Sequence, residues 1–204
     1  MNKQELIDFE NEIEEIYTTG VIRGPIHLRD GNEDELISIF QKYYSNGDFV
    51  FSTWANHLHA ILAGIPKDKI KDRILEGESM AMNFPEYNFY TSAIVGGIIP
   101  IAVGVAKGLK FGKVLCFIGD MAFRSGIAHE SIMYSVLNDL PIIFIVEDND
   151  KSVGTPTEEA WGKVGGVVGN LVNFYNSYCE STKVYSYKYT SRFAHSGVGT
   201  FVSF

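Results

Sequence analysis

Cysteine is scarce in this chain, and so is clustered positive charge. Two cysteines occur in 204 residues, Cys116 inside an apolar run and Cys179 far from it, and they offer no disulfide framework and no metal-ligand spacing. Free thiols of this kind suit a reducing, cytoplasmic compartment. Basic residues number 17 against 25 acidic ones, a formal charge of −8, and no Lys/Arg cluster is long enough to track a phosphate backbone. Nucleic acid is therefore not an expected partner, although a local site can still take a small anion against the net charge. Long apolar runs are missing too. The longest, Ala93 to Ala106, is interrupted by Gly96, Gly97, Pro100 and Gly104. It falls short of the roughly 20 residues that span a bilayer, so a buried helix packed through its glycines is predicted. The polar start Met1-Asn2-Lys3-Gln4-Glu5 has neither the basic opening nor the apolar stretch of an export signal. No internal repeat or low-complexity linker divides the chain.

An apolar content of 46% is ordinary and sufficient for one α/β domain with a substantial core. That single domain is expected to occupy residues 1–204, with a helical extension over about residues 1–45. Leu6, Phe9, Ile13 and Ile16 or Tyr17 recur at helical spacing and predict an amphipathic helix over Glu5 to Tyr17, ended near Gly20. Leu36, Ile39, Phe40 and Tyr43 form a second stripe over Asn32 to Tyr44, behind an acidic start that suits the helix dipole. A short strand is expected over Asp48 to Ser52, and short helices over His57 to Ala63 and Lys67 to Leu75, parted at Pro66. Gly77 to Tyr90 has no clean period and reads as a surface loop available for binding.

From Lys113 onward the pattern is βαβ. Val114 to Ile118 and Ile142 to Val146 are buried strands, and between them Gly126 to Leu140 is a helix with Met133, Val136, Leu137 and Leu140 on one face. Parallel pairing follows. The glycine-rich stretch Gly162 to Gly169 precedes a helix over Leu171 to Tyr178 and a last strand around Val184 to Tyr189.

Ligands of parallel sheets sit at the carboxyl ends of the strands. The residues following the two best strands, Gly119-Asp120 and Glu147-Asp148-Asn149, should therefore lie side by side. Asp120 offers a carboxylate and Asn149 an amide oxygen, hard ligands suited to Mg²⁺ with phosphate oxygens and water completing an octahedron. An Asp and an Asn in these places also serve as helix caps or turn residues. Spacing favours the metal reading, because the 29 positions from Asp120 to Asn149 contain one complete helix and one complete strand.

The segment IGDMAFRSGIAHESIMYSVLNDLPIIFIVEDND resembles the diphosphate motif of thiamine-diphosphate enzymes, which opens GDG and closes on Asn. Its LPIIFIVE pattern is most similar to the α subunits of the 2-oxo-acid dehydrogenases, the family of pyruvate and acetoin dehydrogenase, and the similarity runs from about Gly24 to His195. The resemblance implies the thiamine-diphosphate-binding fold in its diphosphate-binding form, a mostly parallel sheet flanked by helices. It implies thiamine diphosphate and Mg²⁺ as cofactors. The metal ligands would be Asp120, Asn149 and the backbone carbonyl of Lys151. Gly119, Asp120, Met121 and Ala122 open the diphosphate motif, with Met121 standing where the motif has its last glycine.

Further segments carry further roles. GPIHLRDGNEDE resembles the family segment with an active-site histidine, which makes His27 the matching residue; a histidine capping a turn beside Pro25 is the plainer alternative. TSRFAHSGVG resembles the loop that brings a second histidine near the reacting carbon, and His195 matches it. FSTWANHLHAILAGIP resembles a segment with a Tyr-Arg pair whose arginine touches the diphosphate. Here the pair is Trp54-Ala55, so weaker binding or a substitute cation from elsewhere is expected. In SAIVGGIIPIAVGVAKG, Ala93 and Val95 match the backbone positions that receive the aminopyrimidine. His57, His59 and His129 are expected to be structural, and Glu130 structural or inter-subunit.

The family mechanism adds the cofactor to a 2-oxo group and passes on the acyl unit, with His27 and His195 stabilising or protonating the alkoxide. The activating glutamate of that family comes from a separate β subunit, and the chain is too short to hold a second, pyrimidine-binding domain. An α2β2 heterotetramer that is inactive without its β chain is thus implied. Between Thr157 and Val184 the chain is shorter than the family's usual course, which leaves open transfer to lipoamide or to a ketone or sugar acceptor. Two other readings stand beside this one: a small split 2-oxo-acid decarboxylase, and a non-catalytic subunit that keeps the fold, motivated by Ala55 and Met121.

Overall fold

The computed structural model describes residues 1–162 and 165–203. In chain order its helices are α1 (Lys3–Thr18), α2 (Glu33–Tyr43), α3 (His57–Leu62), α4 (Lys67–Leu75), α5 (Ile98–Gly108), α6 (Asp120–Phe123), α7 (Gly126–Leu137), α8 (Thr157–Trp161) and α9 (Val167–Asn176). The strands are β1 (Phe49–Ser52), β2 (Phe89–Thr91), β3 (Val114–Gly119), β4 (Ile142–Asp148), β5 (Lys151–Ser152), β6 (Thr155–Pro156) and β7 (Val184–Lys188). Two compact units emerge: residues 1–46, 52–93 and 190–204 form one, residues 47–51 and 94–189 the other.

The first unit is built on α1 to α4. A capping box starts α1, with Asn2 Oδ1 accepting from the Glu5 N–H and the Glu5 carboxylate accepting from the Asn2 N–H. The apolar stripe read from the sequence is the buried one, with Leu6, Phe9, Ile13 and Tyr17 packed inside. On the same face, buried Glu10 accepts from or pairs with His57 Nδ1 at 3.1 Å, while His57 Nε2 meets Ser79 Oγ at 2.8 Å. The expected surface loop after Gly77 differs from its reading. Ser79, Met82, Phe84 and Phe89 are buried, Pro85–Tyr87 forms a 3-10 turn, and β2 begins at Phe89. The segment lacks a period because its apolar side chains are anchored singly rather than on a repeating face.

The second unit is a parallel sheet whose strands run β1-β3-β4-β7, with Val114 opposite Ile142, Gly119 opposite Glu147 and Phe144 opposite Val184. Burial on both faces explains the unbroken apolar runs of β3 and β4. Helix α5 packs on β3 and β4, α7 on α5, and α9 on β7. The helix predicted over Ala93 to Ala106 starts only at Ile98, after an exposed turn containing Ile94 and Val95, and Ile101 faces solvent. Only part of its glycine packing is seen: a Cβ on Gly96 would meet Ile127 at 2.9 Å, whereas one on Gly104 would meet nothing within 4 Å. Helix α7 keeps Val136 of the predicted face inside but buries a different stripe around it. Ala128, Ser131, Ile132, Ser135 and Val136 are buried, Leu137 is exposed, and small residues let the helix approach closely. The last helix, α9, lies a few residues earlier than read. Residues 163 and 164, inside the glycine-rich stretch, lie outside the described residues. Among the described residues no helix is long and apolar enough to cross a membrane.

Candidate active site

The second unit carries the strand-end cluster. Because Gly119 and Glu147 are register partners, Asp120 and Asp148 leave neighbouring strands side by side, as parallel topology requires. After β4 the chain turns sharply. Asp148 Oδ1 accepts from the Asp150 N–H at 3.1 Å, Asn149 Oδ1 accepts from the Lys151 N–H at 3.2 Å, and Asp150 adopts φ 56°. These are side chain to backbone turns of the kind Asp and Asn favour. The hairpin β5-β6 then brings the chain back, so that Thr157, its N–H bonded to the Asp150 carbonyl, donates from Oγ1 to Asp120 Oδ2 at 2.6 Å.

Asp120 is buried, and its carboxyl is held above the usual range by desolvation first; the Thr157 hydrogen bond opposes this and the neighbouring Asp148 charge adds to it. Asp120, Asn149 and the Lys151 carbonyl are hard-oxygen groups of the chemistry a divalent cation takes, with Asn149 Oδ1 here engaged by the Lys151 N–H. Met121, at the place of the motif's last glycine, is occupied by the Trp161 indole N–H, which faces its Sδ. Ala122 is buried beneath, and Gly119 closes β3 in extended conformation. Val95 is exposed in the turn before α5. A cavity of about 500 Å³ is lined by Arg124, Asp148, Lys151, Thr157 and Lys188 among others.

The first unit carries the histidines. Three distant segments meet here, with ring centroids 4.7 Å apart for His27 and His195, 5.2 Å for His27 and Trp54, and 5.1 Å for Trp54 and His195. Asp30 fastens the His195 loop. Its Oδ1 accepts from Ser191 Oγ at 2.7 Å and the Arg192 N–H at 2.9 Å, and its Oδ2 pairs with Arg192 Nε at 3.0 Å. The Gly197 N–H donates to the Ile26 carbonyl at 2.9 Å.

His27 is buried and its Nδ1 is bonded to the His195 carbonyl, which fixes the proton on Nδ1 and leaves Nε2 unprotonated, 3.0 Å from Met80 Sδ. Desolvation pushes His27 down to about 4 despite that carbonyl. The His195 ring is also lowered, by desolvation and then by the Arg29 charge. Trp54 is aimed by its Nε1–H, which donates to the Ala93 carbonyl at 2.8 Å, tying together two positions singled out from the sequence.

Several site residues escape a reading of the sequence. Asn56 Nδ2 donates to the carbonyls of Thr53, Trp54 and Ser79, at 2.9 Å each, and so shapes the Trp54-Ala55 bend. Met80, Thr157 and Arg124 likewise sit against expected residues, and only three-dimensional proximity reveals them. His59 meets Ser52 Oγ at 2.7 Å and His129 meets the Tyr175 hydroxyl at 2.9 Å, which leaves both inside local hydrogen bonds.

Residues 1–163 match the family model described as dehydrogenase E1 component. The α subunit of acetoin:2,6-dichlorophenolindophenol oxidoreductase from Bacillus subtilis is 28% identical over 170 residues, covering 76% of this chain and 51% of that protein. The pyruvate dehydrogenase E1 component α subunit of Rickettsia conorii is 30% identical over 161 residues, covering 72% and 49%. That of Porphyra purpurea is 29% identical over 168 residues, covering 72% and 48%. The chain thus spans about half the length of the curated relatives it matches. With its family model matched over residues 1–163, the chain belongs to the dehydrogenase E1 component family.

Proposed function

We propose that this chain is the diphosphate-binding α subunit of a thiamine-diphosphate- and Mg²⁺-dependent enzyme that decarboxylates or cleaves a 2-oxo acid and passes on the acyl unit. The observation that carries this reading is the β3-β4 register, which sets Asp120 beside the Asp148-Asn149-Lys151 turn. Family membership and relatives named as pyruvate dehydrogenase and acetoin oxidoreductase α subunits support it. Asp120, Asn149 and the Lys151 carbonyl would hold the metal and, through it, the diphosphate. Gly119, Met121 and Ala122 would border that group, and Trp54, Ala93 and Val95 would serve the rest of the cofactor.

When bound, thiamine diphosphate supplies an electron sink for bond cleavage beside a carbonyl. This chain's residues manage protons. In its neutral form His27 has a lone pair on Nε2 and accepts a proton; burial opposes its charging. His195 is the less buried of the two and takes the role of donor to a developing oxyanion, while the His27 and Trp54 rings fix its place. Activation of the cofactor falls to a carboxylate on a β subunit, with α2β2 as the assembly and the cytoplasm as its location.

The test is reconstitution with the cognate β chain and an assay of 2-oxo-acid decarboxylation with an artificial electron acceptor. Activity that Asp120→Ala abolishes is expected; activity that survives this substitution rejects the metal assignment. A non-catalytic subunit is the second reading, favoured by Ala55, and it requires that the reconstituted pair be inactive before any substitution.

A further inference from the structure

Arg124 closes α6, four residues after Asp120, with its N–H bonded to the Met121 carbonyl at 3.2 Å. Arg124 lines the 500 Å³ cavity, and its Nε is buried with no hydrogen-bond partner. Such a donor is costly in a folded protein, and a guanidinium more so, unless a ligand completes it. The cavity is also lined by Lys151, Lys188 and the carboxylates of Asp148, Asp150 and Glu158. Lys188 Nζ is held by Asp150 Oδ2 at 2.9 Å and lies 3.7 Å from Asp148 Oδ2, so its charge is already matched. The cavity wall also includes Thr157, whose hydroxyl is bonded to Asp120, so the space around Arg124 adjoins the proposed metal ligand.

We propose that Arg124 grips the diphosphate of the cofactor, acting as the substitute cation that the Trp54-Ala55 pair leaves wanting. The inference rests on the functional reading above. A planar fork of N–H donors matches phosphate oxygens, and a cation here offsets the carboxylates of Asp120, Asp148 and Asp150 that would otherwise repel an anion. Arg124 binds and orients; it takes no part in proton transfer.

Calorimetry of the full chain with its β partner, in Mg²⁺, tests the idea with three probes: thiamine diphosphate, inorganic pyrophosphate and thiamine. For wild type, the first two are expected to bind more tightly than thiamine. Arg124→Gln should weaken both by about 10- to 100-fold and leave thiamine unchanged, with Arg124→Lys recovering part of the loss. Without ligand, Arg124→Gln should melt close to wild type, because removing a buried Nε–H with no hydrogen-bond partner offsets the loss of the Arg124 charge beside Asp120. Equal diphosphate binding by wild type and Arg124→Gln overturns the inference and leaves the functional reading standing. Wild type that binds neither diphosphate overturns both. A ligand-free Arg124→Gln that melts lower makes Arg124 a structural residue and also overturns the inference.

Discussion

Asp120 accepts one hydroxyl hydrogen bond and lies beside the Asp148 and Asp150 carboxylates, with the Arg124 guanidinium as the opposing charge, so a bound cation would add to what stabilises its ionised form. Loss of that charge should therefore register directly in binding. Asp120→Asn is expected to weaken Mg²⁺-dependent cofactor binding by about 100-fold or more, and Thr157→Val, which removes only its support, by about tenfold. Equilibrium titrations of the two variants in Mg²⁺ check the order; equal effects would mean that Thr157 is itself a ligand. His27 makes a prediction about pH. A histidine in the unfolded chain protonates near 6.5, whereas buried His27 resists until about 4. Between those values the unfolded chain binds more protons, so His27 costs no stability above pH 6.5 and an increasing amount as pH falls towards 4. Urea titrations at pH 7 and pH 5 should then show the difference between wild type and His27→Asn moving in favour of the variant at the lower pH. A constant difference would show that the imidazole charges freely.

Elements differ in how far the sequence discloses them. Strands β3 and β4 are legible as unbroken apolar runs because both faces are buried, and α1 and α2 because one face is. Helix α7 deceives, since alanine and serines share its buried face with Ile132 and Val136 while Leu137 points outward. The strand-end acids are readable from spacing and motif, whereas the His27-His195 contact joins residues 168 positions apart and no local pattern announces it. Close to His27 in sequence, Gly31 has φ +79°, and a Cβ there would lie 2.2 Å from the carbonyl oxygen of Thr190, which is close in sequence to His195. Gly31→Ala combines strain at positive φ with a backbone clash and should cost about 2 kcal/mol or more while loosening the His195 loop. Chemical denaturation together with hydrogen exchange over residues 190–199 measures it, and protection unchanged there would separate the loop from Gly31.

At the scale of the whole molecule, the chain spans about half the length of relatives named as α subunits, yet both clusters of candidate site residues lie within it. Under the proposed function, this chain would anchor the cofactor and a partner would activate it. The purified chain should show no 2-oxo-acid decarboxylation, and addition of the β chain should restore it; turnover by the chain alone would contradict that division. The most direct test is calorimetric titration of thiamine diphosphate into the chain copurified with its β partner, first with Mg²⁺ and then with excess EDTA. Saturable binding that vanishes with the metal is the predicted result; binding indifferent to EDTA, or none in either condition, would contradict Asp120, Asn149 and Lys151 as the anchor.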